Sequence, residues 1–205
     1  GYINFGTVTS NVESTGYGLR SNDGVIQCKN KTYTVTENSV FGPEYTTTNF
    51  WSNLYQPVLH MQDQRPNQTE GGAGSESTWA NEREINTIVL DEIGTTLSAN
   101  QFTLPSGTYH FDALFNFFAT WQHRIKLYDV TNGDDVALSM TGIIYDSVGV
   151  QEALPIRGRF TITEEITFEF RYWKSHNGGD TALGYSNLDD TYSEIYADIL
   201  ITKIA

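Results

Sequence analysis

The stretch from Trp173 to Tyr192 holds the side chains best suited to recognising a small polar ligand. Trp173 and Tyr185 offer flat rings, and His176, Asn177, Asp180 and Asn187 offer hydrogen-bonding groups among glycines. Aromatic faces stack on the C–H faces of sugars while neighbouring polar groups bond the hydroxyls, so these six residues form a candidate ligand-binding set. The plainer alternative is an ordinary connecting loop whose aromatics anchor a core. Trp121 could be a second platform, although core or interface packing explains a lone tryptophan as well.

Catalytic and metal chemistry is poorly supplied. Paired carboxylates occur at Asp134-Asp135, Glu164-Glu165 and Asp189-Asp190. Cleaving a glycosidic bond needs two carboxyl groups facing each other across roughly 5–10 Å. Neighbours on a strand point to opposite faces, so each pair reads as a solvated turn. His60, His110, His123 and His176 are scattered, and Cys28 is the single cysteine, so no zinc motif forms and no intrachain disulfide is available. Asp180, Asn187, Asp189 and Asp190 could offer oxygens to calcium, but without calcium-loop spacing. No nucleophile elbow, phosphate loop or dinucleotide fingerprint occurs. The expectation is a protein that is not an enzyme and uses neither cofactor nor metal.

Charge narrows the partners. Twelve Lys and Arg stand against 25 Asp and Glu, a formal net charge of −13. Such a surface repels phosphate backbones and anionic lipid, leaving cationic surfaces or neutral glycans. No apolar run approaches the roughly 18 residues needed to span a bilayer, so neither nucleic acid nor membrane insertion is expected. The sequence opens on Gly1 without an initiator methionine, which suggests a piece of something longer.

The elements that must position these residues read as strands. Aromatics reach 13%, with 12 Tyr and 11 Phe, and rings and branched side chains suit a pleated, half-buried surface. Residues 1–40 form a small glycine-rich β element, with strands expected near 2–6, 16–20 and 25–29 and a tight turn at Asn22-Asp23-Gly24. Residues 41–56 read as a connector. Residues 66–77 have the composition of a long, mobile surface loop. From Trp79 onward, strand-like runs recur at about 83–91, 108–118, 121–129, 135–145, 155–163, 165–173 and 194–204, separated by turn signals such as Pro105-Ser106-Gly107 and Thr131-Asn132-Gly133-Asp134. Around 82–92 a helix competes, and the run Ile85, Thr87, Ile88, Val89 decides for strand.

Two strands carry apolar residues on both faces. In 109–118, Tyr109, Phe111, Ala113, Phe115 and Phe117 share one side while Leu114 and Phe118 lie opposite. In 194–204, Ile195, Ala197, Ile199 and Ile201 share one side and Tyr196, Leu200 and Ile204 the other. Loops could cover the second face, but apolar patches on soluble proteins commonly mark interfaces. Leu114, Phe118, Tyr196, Leu200 and Ile204 are therefore the candidate subunit contacts.

Residues 57–205 resemble a jelly-roll domain common near the C-termini of phage tail and fibre proteins. The resemblance is carried by Val58-Leu59-His60-Met61-Gln62-Asp63-Gln64, then Trp79, Arg83 and Ile85-Asn86-Thr87. It continues through Leu97 to Tyr109, Leu127-Tyr128-Asp129-Val130-Thr131, Ile156 to Ile162 and Glu194 to Ile199. The pattern Phe102, Pro105, Gly107, Tyr109, Phe111 is also similar to the strand entry of C1q and tumour-necrosis-factor-like jelly rolls. Residues 1–40 are similar to short glycine-rich β elements upstream in phage structural proteins, while 30–56 match nothing comparable. The aromatic content of 108–118 and the loop 173–193 depart from the pattern. The resemblance implies an all-β, antiparallel jelly-roll sandwich that forms a homotrimer. With the candidate ligand set of 173–192, the leading expectation is a trimeric knob of a virion fibre or spike, joined to other virion proteins through the N-terminal region and attaching to host-surface glycan. A purely structural head fibre, decoration or capping protein is the alternative; a polysaccharide depolymerase ranks behind both. No catalytic residues carry over.

Overall fold

A computed structural model describes residues 3–4, 18–22, 25–28, 56–145, 149–176, 178–186 and 191–204. The chain divides into two compact units, Gly1–Tyr55 and Gln56–Ala205. In the first, β1 (Ile3–Asn4), β2 (Gly18–Asn22) and β3 (Val25–Cys28) form an antiparallel sheet in that order. Asn22 pairs with Val25 at the end of the β2–β3 ladder, and Asp23 and Gly24 of the expected turn lie outside the described residues.

The second unit is all-β and antiparallel. Its strands are β4 (Val58–Arg65), β5 (Asn81–Glu82), β6 (Thr87–Asp91), β7 (Leu97–Ser98), β8 (Gln101–Leu104), β9 (Gly107–Phe118), β10 (Trp121–Asp129), β11 (Asp134–Leu138), β12 (Gly142–Ile144), β13 (Gln151–Ile162), β14 (Ile166–Lys174) and β15 (Glu194–Lys203). Pairing is nested about the turn after Asp129. β10 pairs with β11, β9 with β13, β8 with β14, and β4 with β15. Successive pairs fall in alternate sheets, β13-β9-β15-β4-β6 and β11-β10-β14-β8-β7, with β12 added to β10 and β5 to β14. A long hairpin wound around itself in this way is a jelly roll.

Alternation on β9 fills the space between the sheets. Tyr109, Phe111, Phe115 and Phe117 point inward to meet Phe168, Phe170 and Tyr172 of β14 and Phe102 of β8, all buried. Phe115 and Phe170 have ring centres 4.8 Å apart. Gly158 on β13 makes room for Phe111, since a Cβ there would lie 2.8 Å from its ring.

Four features differ from the sequence reading. The expected strand 83–91 is regular only over Thr87–Asp91. Before it, Arg83 enters the core, fully buried, and its Nη2 donates to the carbonyls of Leu183 and Tyr196, both at 2.7 Å. Its guanidinium faces Phe115 and Phe117, and burial lowers its pKa to about 10 against the opposing pull of Asp63. The expected run 135–145 divides into β11 and β12, where Ser139 turns its hydroxyl onto the Ile125 amide. The loop 66–77 is tied down rather than loose: Gly71 donates to the Gly184 carbonyl at 2.9 Å, and Ser77 to that of Lys174 at 2.8 Å. Its glycines allow contact, as a Cβ on Gly71 would lie 2.6 Å from the Leu183 carbonyl oxygen.

The last difference concerns Tyr196. The register shifts between Ile195 and Ala197, and this bulge reverses the expected order. Ile195 is turned outward, while Tyr196 and Ala197 are both buried. The Tyr196 hydroxyl donates to the Thr69 carbonyl at 2.9 Å, and burial pushes its phenol above its usual range. Tyr196 is thus an internal side chain of its own subunit and not an interface residue.

Candidate functional site

One end of the sandwich, where β9 turns into β10, gathers exposed rings. The turn is short and strained, with φ of 51° at Ala119 and 54° at Trp121. A bulky residue in the left-handed region is uncommon and persists only when its surroundings hold it there. Here the holding is by hydrogen bonds. The Phe118 amide donates to Ala182 at 3.0 Å, His176 to Thr120 at 3.2 Å, and Ser175 to Gln122 at 2.9 Å.

The outcome is an outward-facing indole. Trp121 remains 47% exposed and stacks with His176, ring centres 5.4 Å apart at 25°. Tyr185, 46% exposed, packs against Phe118, three residues before Trp121 in the chain, with ring centres 5.1 Å apart. The Tyr185 amide donates to Gln151 Oε1 at 2.6 Å, and Gln151 is itself the cross-strand partner of Phe118. This links the aromatic pairs to an open groove of about 470 Å³ lined by Ile143, Ile144, Tyr145, Val150, Gln151 and Glu152. Ile144, one of the lining residues, is the cross-strand partner of Trp121.

Beneath this surface lies His123, fully buried and stacked on Phe117 at 4.3 Å. Its Nδ1 lies 2.9 Å from both the Trp121 carbonyl and Thr120 Oγ1. Its Nε2 stands 3.3 Å from Glu152 Oε2 without forming a hydrogen bond. Burial lowers the His123 pKa below its ordinary value, against the opposing influence of the Trp121 carbonyl and Glu152.

The candidates from the sequence separate into groups. His176 and Tyr185 join the cluster, and Asp180 lies exposed on the short 3₁₀ turn Gly179–Thr181 nearby. Trp173 does not join. It lies half-buried on the outer face of β14, opposite Arg124, on the same face as the Lys126–Trp79 and Arg171–Tyr128 contacts. A strand continues through Lys174, so Trp173 follows the pleat and not the loop. Asn177 and Asn187 lie outside the described residues, as do Asp189 and Asp190. Trp121, which the sequence offers as a possible second platform, does join the cluster, whereas Tyr145, just beyond β12, and Glu152 of β13 show nothing unusual in sequence and are brought there by the fold. Among the described residues, no group of three His, Cys, Asp or Glu is placed to hold a metal ion.

The proposed subunit contacts are also divided. Leu114 and Leu200 are 43% and 46% exposed on the outer face of the five-stranded sheet. Leu200 stands between Asp112 and His60, and Leu114 opposite Asp198, so leucines alternate with charges. Asp198 is itself bonded to His60 at 2.6 Å and to Gln62 at 2.7 Å. Phe118 belongs to the aromatic end, and Ile204 lies half-buried just beyond β15.

No family model matches the sequence, and no characterised relative does. Solved structures similar to this chain include the globular domain of zebrafish complement 1qA protein, with 12% identity, coverage of 74% of this chain and 98% of that one, and a TM-score of 0.44. Murine APRIL at pH 5.0 is similar with 11% identity, coverage of 73% and 99%, and a TM-score of 0.48.

Proposed function

We propose that this chain is a non-catalytic attachment module, the trimeric knob of a bacteriophage fibre or spike, and that its aromatic end binds host-surface glycan. The observation that carries the proposal is the exposed indole of Trp121, stacked on the half-buried His176 and held on the strained turn that follows Phe118, which itself packs against Tyr185. Backbone strain and exposed indole both oppose stability, and a ligand platform gives them a use. The flanking polar groups, Gln122, Gln151 and Asp180, suit hydroxyl recognition. In this reading the N-terminal unit, Gly1–Tyr55, joins the knob to other virion proteins and the protein works on the extracellular particle.

The test is binding of the knob to host cells and isolated surface polysaccharide. Trp121→Ala and Tyr185→Ala are each expected to weaken binding about tenfold, the order of one lost aromatic contact. Trp173→Ala should bind as wild type. Undiminished binding by Trp121→Ala would overturn the site.

A second reading, a purely structural knob that trimerises and caps a shaft, is favoured by the exposed leucines on the five-stranded sheet. It predicts assembly without affinity for any host surface material.

A further inference from the structure

Glu152 stands in the groove with its negative charge unanswered. It forms no ion pair with any lysine or arginine among the described residues, its one charged-group neighbour being His123. That neighbour does not neutralise it. A carbonyl only accepts, so the ring nitrogen 2.9 Å from the Trp121 carbonyl, Nδ1, carries the proton that bonds it, and burial of the ring disfavours a second proton on Nε2. Nε2 then presents a lone pair, fully buried and without a hydrogen-bond partner, to the Glu152 carboxylate. Two electron-rich groups 3.3 Å apart repel, and a cation placed against the carboxylate would relieve that repulsion.

The ring cannot easily turn away. Gly142 lies against it, where even a Cβ would come within 2.2 Å of Nε2, and Phe117 covers its face. Glu152, by contrast, is 36% exposed and open to the groove. Around it are the 65% exposed ring of Tyr145 and the side chains of Ile143 and Val150. Among the described residues, no lysine or arginine lines the groove. The lining offers a carboxylate, a ring face and an apolar wall.

We infer that the groove beside Trp121 takes an amine-bearing sugar, with the ammonium against Glu152 and the sugar's C–H face against the aromatic rim. The net charge of −13 acts in the same direction by drawing cationic polymers and repelling phosphorylated or carboxylated ones. This inference rests on the glycan reading and adds the ligand class: sugars with free amines, over their N-acetylated or acidic counterparts.

The probes are chitobiose, carrying two free amines, and N,N′-diacetylchitobiose, neutral and otherwise alike. Titrations followed by tryptophan fluorescence and by NMR should show chitobiose binding about five- to tenfold more tightly, the range of a partly exposed ion pair. In Glu152→Gln the preference should vanish while diacetylchitobiose binding is retained. Val150→Lys, which puts an ammonium in the groove without altering Glu152, should abolish the preference as well. Equal affinity for the two disaccharides, or a preference that survives Glu152→Gln, overturns the amine assignment and leaves the glycan reading standing. If neither disaccharide perturbs Trp121 or Tyr145, both fall.

Discussion

At the scale of single residues, the His123–Glu152 contact ties ligand preference to pH. The folded protein holds the His123 pKa below the ordinary 6.5, chiefly because burial penalises the imidazolium. The unfolded chain therefore binds more protons in the window just below 6.5, and stability falls as pH is lowered through it. Thermal melts between pH 7.5 and 5, solution conditions chosen to bracket that window, should show this slope, and His123→Gln should reduce it. Ligand binding should follow a related course. Once protonated, Nε2 donates to Glu152 and competes with the ligand's ammonium, so the chitobiose preference weakens on acidification. The other charged or titratable groups around the ring are Lys174, its cross-strand neighbour, His176 on the indole, and Arg83 beyond Phe117. His123→Gln isolates the contribution of this one ring: it should abolish the part of the pH response that passes through the His123–Glu152 contact. A pH profile of amine preference identical in wild type and His123→Gln would count against this linkage.

At the scale of elements, the bulge in β15 decides what the last strand can do. By turning Tyr196 inward it fastens three segments at once: the carbonyl of Tyr196 accepts from Arg83, its hydroxyl donates to Thr69, and its ring lies over Gly184. A Cβ at Gly184 would stand 2.0 Å from the Tyr196 ring, and its φ of 146° is one that other residues rarely adopt. Gly184→Ala should therefore destabilise the domain by about 2–4 kcal/mol, the combined cost of overpacking and backbone strain. Urea denaturation measures it, and a change within 0.5 kcal/mol, the usual size for an unconstrained surface site, would show that the loop moves aside freely. The same segment leads into Tyr185, so the packing of one core tyrosine also sets the position of the exposed one.

At the scale of the whole molecule, the outer face of the five-stranded sheet is where the trimer proposal is tested. Its outer face alternates Leu114 and Leu200 with Asp112, Asp198 and His60, a mixture better matched to a partly polar subunit interface than to a second hydrophobic core. Light scattering after size exclusion should give a mass near three times the 23.0 kDa chain. Leu114→Arg together with Leu200→Arg should return it to one chain by placing unpaired charge in the contact. A wild-type protein that runs at 23.0 kDa would remove the trimer from the proposal, leaving the aromatic end as a monomer's binding site.

The sequence by itself determined the strand content and much of the core. Pleat periodicity is a local property, so the inward set Tyr109, Phe111, Phe115 and Phe117 follows from alternation alone, and turn chemistry marks the hairpin after Asn22 and the bend after Asp129. Strand pairing, bulges and buried charge were left to the tertiary structure. Short strands such as β7, β8 and β12 have too few residues to show a period. A register shift at Ile195 leaves no compositional mark, so Tyr196 reads as outward from its parity and is inward in fact. Arg83 looks like surface until the fold closes over it. The aromatic end is of the same kind. Trp121, Tyr145, Glu152, His176 and Tyr185 come from separate strands and loops, and the sequence pointed to Trp173 because it stands next to the loop in the chain. Only nested pairing of distant strands, which fixes which ends meet, brings Trp121 and not Trp173 beside His176.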